Sequence, residues 1–111
     1  DETVQAIERA MDLWQRRSPS PENLESLGAG WVAEEALSIG LYCALVAGDD
    51  FGKGVLLAVN HSGDSDSTGA IAGNIIGIQC GVERIPAGWL GELEMKDLIE
   101  EIANDLFDRF V

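Results

Sequence analysis

Basic residues are scarce in this chain: seven Lys and Arg stand against 20 Asp and Glu, a formal net charge of −13. Phosphate binding needs clustered positive charge, so a nucleic-acid partner is excluded, and an anionic membrane surface with it. Cysteine is limited to Cys43 and Cys80, both inside apolar runs, and His61 is the single histidine. With no Cys-x-x-Cys, a zinc site of the usual Cys/His kind is out of reach, and a reducing, cytoplasmic setting is the expectation. No apolar run is long enough to span a bilayer. The first residue is Asp1 rather than Met, so the lack of a signal peptide carries little weight. Repeats, linkers and low-complexity segments are missing as well.

What is present is apolar content for a core. Hydrophobic residues make up 46% of 111 residues, which fits one domain and rules out a disordered acidic tail. Period-two alternation is absent, with "GVLLAV" the nearest approach to a strand. Helical spacing dominates. Residues 2–17 place Val4, Ile7, Met11 and Trp14 on one stripe, with Arg16 and Arg17 complementing the C-terminal dipole. "SPSPEN" breaks the chain; Ser20 reads as an N-cap before Pro21, opening a short helix that ends at Gly28. After the turn "GAGW", residues 32–47 form a mostly buried helix with Glu34, Glu35 and Ser38 as its polar edge and Gly48 closing it. Asp49 or Asp50 caps the next helix. Pro86 opens a short helix, and the last segment is amphipathic, with Leu98, Ile102, Leu106 and Phe110 on one face. The expected architecture is all-α, a compact orthogonal helical domain of about five to seven helices.

The informative stretch is Asn60 to Gly77, "NHSGDSDSTGAIAGNIIG". Asp64 and Asp66 sit one residue apart among small hydroxyl residues, and Ser67 begins the helix that follows. Two readings fit. Asp and Ser are favoured helix caps. The same loop can also aim two carboxylates and a hydroxyl at one point, which is part of the oxygen shell that magnesium prefers. Behind it Gly69, Gly73, Gly77 and Gly81 recur every four residues. Glycine in a helix costs up to about 1 kcal/mol relative to alanine, so the ridge implies crowding against a neighbouring backbone. His61 is a lone loop histidine, and Trp31 beside "GAG" is placed to line a cleft.

Taken together, "LGAGWVAEEALSIGLYCAL", "DDFGKGVLLAVNHSGDSDSTGAIAGNIIGIQCG" and "IPAGWLGEL" resemble the C-terminal part of the ADP-ribosylglycohydrolase family, over residues 24–110. The resemblance implies an all-helical fold holding two adjacent divalent metals, Mg2+ or Mn2+. It also implies hydrolysis of the glycosidic bond of ADP-ribosylated substrates. By the same resemblance Asp64 and Asp66 are metal ligands, and Ser67 stands where the family usually has a metal-binding threonine. Asn60, His61, Ser62 and Gly63 lie where its loop approaches ribose and diphosphate, and Gly30 and Trp31 match a turn near the cleft. The family's first-half glycine-rich segment and Thr-Asp-Asp-Thr motif have no counterpart here, and "AGDDFGK" cannot replace them. Residues 1–111 then read as one partial domain. Its missing half comes from upstream or from a partner chain; alternatively the chain is a truncated, non-catalytic homologue that acts as an oligomeric binding or assembly module. In the second case a homo-oligomer burying the glycine-ridged helix or its neighbours is expected.

Overall fold

The structure is a computed structural model that describes residues 1–16 and 20–111. Seven α-helices follow one another with no strand among the described residues: α1 (Glu2–Arg16), α2 (Pro21–Glu25), α3 (Ala33–Ala47), α4 (Phe51–Val59), α5 (Ser65–Cys80), α6 (Ala87–Glu92) and α7 (Lys96–Phe110). A 3₁₀ turn at Val82–Arg84 joins α5 to α6. The all-α expectation holds. The predicted part of Arg17 at the end of α1 lies outside the described residues, as do Ser18 and Pro19 of the break.

Local rules explain most boundaries. Ser20 is extended and its Oγ accepts the N–H of Asn23 at 3.1 Å, with Pro21 at the first helical position. Asp50 rather than Asp49 caps α4, its Oδ1 accepting the Lys53 N–H at 3.1 Å. Asp49 instead lies 3.8 Å from Arg84 in an exposed ion pair, which adds little stability.

Packing centres on α3, which lies against α1, α4 and α5; α4 and α5 also pack on each other. The core runs from Ala10 and Leu13 through Leu24, Leu27, Ile39, Tyr42 and Cys43 to Ala58, Ala72 and Ile76. Burial pushes the Cys43 thiol up to about 12.

Four expectations are corrected. The first concerns α1, which buries Ala6, Ala10 and Leu13, while Val4, Met11 and Trp14 are exposed. Ala6 and Ala10 let α1 approach α3 closely; Ile7 of the stripe is half-buried, and Val4, Met11 and Trp14 face away. Second, Ser38 is no polar edge. It is fully buried, and its hydroxyl donates to the Ala6 carbonyl at 2.9 Å, which satisfies both groups across that contact.

Third, the helix after the acidic loop starts at Ser65, not Ser67. The fourth correction is to the glycine ridge. Its outer face is where α4 docks: a Cβ on Gly69 would lie 2.6 Å from Val59 Cγ1, on Gly73 4.0 Å from Val55, on Gly77 3.9 Å from Phe51. Two i±4 rows thus run antiparallel. Crowding is real at Gly69 but absent at Gly73 and Gly77, where the distances are ordinary contact. Gly81 is outside the helix and takes a positive φ as its C-cap. Tight approaches fall elsewhere too, at Gly40 against Ile71 and at Gly54 against Ile76 and Ala47.

The amphipathic pattern of α7 is present, but Leu98, Ile102, Leu106 and Phe110 are all exposed. The inner side of this helix faces a groove of about 400 Å³ lined by Val82, Ile85, Leu90, Leu93, Ile99 and Ala103.

Candidate metal and substrate loop

The acidic loop lies where α4 ends and α5 begins, and each of its residues is held by a different neighbour. The Asn60 side-chain amide donates to the Leu56 carbonyl at 2.8 Å, finishing α4. His61 accepts the Gly63 N–H on Nδ1 at 3.1 Å. Its partners assign the neutral tautomer with hydrogen on Nε2, which donates to Thr68 Oγ1 at 2.8 Å. The Thr68 hydroxyl is then free to donate to the Ala58 carbonyl at 2.7 Å. Thr68 is fully buried, so this relay pins the loop to both helices from inside.

Ser62 is held from the outside. Glu25 Oε1, at the end of α2, accepts both its N–H at 3.1 Å and its O–H at 2.8 Å. The side-chain bond first, then the backbone bond, hold the Glu25 carboxyl below its ordinary value.

Gly63 and Asp64 meet the turn before α3. The Asp64 N–H donates to the Ala29 carbonyl at 2.8 Å, and that carbonyl fills the space where a Gly63 side chain would be. The turn itself is tied to α3 by Glu35, whose Oε2 accepts the N–H groups of Ala29 and Gly30, each at 3.1 Å. Gly30 is buried with φ +80°, and a Cβ there would lie 2.9 Å from Thr68 Cγ2 and 3.7 Å from Asp64 Cβ. Gly30, Gly63, Asp64 and Thr68 therefore form one tight junction. Trp31, next in the chain, is 72% exposed.

The two aspartates behave differently from helix caps. Asp64 holds the N-cap position of α5, yet its side chain makes no capping hydrogen bond. Asp66 lies exposed in the first turn, where the helix end favours negative charge. Its carboxyl is held below the ordinary range, first by the neighbouring Asp64 side chain, then by the backbone N–H groups of Ser67 and of Asp66 itself. The Ser67 bond is 3.0 Å. So the pair sits together at the surface with unspent oxygen atoms. These are hard donors of the kind Mg2+ and Mn2+ take, and Ser67 is exposed beside them. They fit such an ion in kind and fall short in number: no group of three or more His, Cys, Asp or Glu among the described residues could hold a metal.

Thr68 was expected only as a hydroxyl near the acidic pair and Glu35 only as a polar edge of its helix; their bracing contacts, and any part for Glu25, were not expected from the sequence. Thr68 follows the helix start by a few residues and could have been suspected as a back-bonding hydroxyl. Glu25 had no signal, since it meets its partner 37 positions away.

An all-helical domain with a glycine-flanked acidic pair at a helix start is the class that these elements define. The chain belongs to the ADP-ribosylglycohydrolase family, whose model matches residues 1–111. Over 48 residues it is 48% identical to the ADP-ribosyl-[dinitrogen reductase] glycohydrolase of Rhodospirillum rubrum, which covers 43% of this chain and 16% of that protein. An ADP-ribosylarginine hydrolase of Pseudomonas putida is 36% identical over 61 residues, 55% of this chain and 16% of its own length. An uncharacterized protein of Archaeoglobus fulgidus is 34% identical over 85 residues, 77% and 27% respectively. The matched stretch thus spans less than a third of each of these relatives. No solved structure matches the chain. Among the described residues, no helix is long and apolar enough to cross a membrane.

Proposed function

We propose that this chain carries the second-half metal loop of an ADP-ribosylglycohydrolase and contributes to hydrolysis of the glycosidic bond of an ADP-ribosylated substrate, with ADP-ribose or an ADP-ribosylated protein as the ligand. Asp64 and Asp66 would hold a divalent cation, Mg2+ or Mn2+, with Ser67 as a neutral oxygen ligand. The remaining ligands would come from outside these 111 residues. When bound, such an ion orients a water and polarises the sugar centre. The residues around it serve geometry: Gly63 and Gly30 let the loop close against Ala29 and Thr68, and His61 keeps it fixed. Trp31, beside that junction, offers an exposed ring for a ligand base or ribose.

The observation that carries this reading is Asp64, at the N-cap position of α5 with a carboxyl that makes no capping hydrogen bond, and the exposed Asp66 two residues on. Calorimetric titration with Mn2+ and Mg2+ tests it: heat is expected from the unchanged chain and none from Asp64→Ala. Equal heats for both would make the carboxylates purely structural.

A second reading is supported by the exposed apolar residues on α1 and α7. Exposed apolar helix faces of this kind are covered by association. In this reading the chain is a non-catalytic assembly module that self-associates through these faces. Since α4 already fills the glycine ridge, the ridge is not the contact. Sedimentation at micromolar concentration should show a dimer or larger species, and a monomer rejects this reading.

A further inference from the structure

We propose that Glu25 is a positioning residue for the acidic loop, an inference that rests on the metal reading above. Glu25 belongs to another helix and does not itself reach the aspartates. It holds Ser62 by two hydrogen bonds to a single oxygen, Oε1. Beyond Ser62, Gly63 is closed against the Ala29 carbonyl, and the Asp64 N–H is bonded to that same oxygen. Glycine is the residue with most backbone freedom, so an unanchored Gly63 would act as a hinge beneath Asp64. With Glu25 gripping one side and Ala29 the other, the hinge is locked. The cost of ordering the loop is then met on folding instead of on cation binding.

The bonding pattern makes this separable from a charge effect. Because one oxygen takes both bonds, the amide oxygen of a glutamine can keep both while removing the negative charge. A Glu25 that acted by attracting the cation would be lost equally in Glu25→Gln and Glu25→Ala. A Glu25 that positions the loop is rescued by Glu25→Gln. Outer residues that orient ligands typically change metal affinity by about 10–100-fold.

The test is Mn2+ titration of the chain, at a temperature where circular dichroism shows every variant folded. Glu25→Ala is expected to weaken binding about tenfold or more, Glu25→Gln to bind as the unchanged chain does, and Asp64→Ala to lose binding. Amide exchange of Gly63 and Asp64 should quicken in Glu25→Ala and not in Glu25→Gln. Unchanged affinity in Glu25→Ala overturns the inference and leaves the metal reading intact, and so does a loss of the same size in both Glu25 variants. Equal heats for Asp64→Ala and the unchanged chain overturn the metal reading instead. Exchange then decides the clamp: slow exchange persisting in Glu25→Ala rejects it. Should Glu25→Ala not fold, Ser62→Ala removes the shorter bond and is read the same way.

Discussion

The carbonyl oxygen of Ala29 occupies the place where any side chain on Gly63 would begin, and it also receives the N–H of Asp64 at 2.8 Å. Contact between the two turns is backbone on backbone, so no side chain can rotate to relieve an added atom. Gly63→Ala must therefore part the turns. A loss of about 1–3 kcal/mol, the usual cost of overpacking, is expected in urea unfolding. Asp64→Ala, which removes no capping bond, should cost clearly less.

Thr68 joins His61, Ala58 and the start of α5 through one buried hydroxyl. Thr68→Val keeps the shape but strands the Ala58 carbonyl and the His61 N–H. Buried groups left without partners cost about 1–3 kcal/mol. The urea midpoint should fall accordingly, while Thr68→Ser, retaining the hydroxyl, should fall by less.

The glycines of α5 should separate by position. Gly77→Ala adds a methyl in ordinary contact with Phe51 and gains helix propensity, so it should stabilise by about 0.4–1 kcal/mol. Gly69→Ala drives its Cβ to 2.6 Å from the stiff Val59 side chain and should destabilise. Equal thermal shifts for the two would contradict the α4–α5 packing described here.

Stability should decline in acid partly through Glu25. Its carboxyl is held below the ordinary value of 4.5, so the folded chain binds that proton less readily than the unfolded one. The contribution is complete above the ordinary value and fades as pH falls through the depressed one. Glu25→Gln should show a flatter decline of melting temperature over that acid range than the unchanged chain. Parallel curves would mean that the Ser62 bonds do not distinguish the charged form.

The local pattern of the candidate loop was readable in advance, and the contacts that were not have a common cause. The acidic pair and the glycines around it announce themselves by spacing within a few residues. The clamp does not: Glu25 meets Ser62 across 37 positions, and Glu35 reaches back to the turn before its own helix. Neither carboxylate differs in sequence from the solvated acids around it.

Local chemistry determined the helices themselves. Ser20 and Asp50 cap because a short side-chain oxygen can reach a free N–H two or three residues on, and Gly48 and Gly81 end helices because they tolerate positive φ. Those interactions are complete within one turn, so the sequence alone contains them. Only the tertiary structure decided that α1 buries Ala6, Ala10 and Leu13 while Val4, Met11 and Trp14 stay in solvent. The same holds for the seating of α4 on the glycine ridge and for the two glutamates that brace the aspartate loop. A burial face is chosen by how closely the partner helix can approach, and small residues win there because they bring whole backbones into contact, a gain that exists only once the partner is in place.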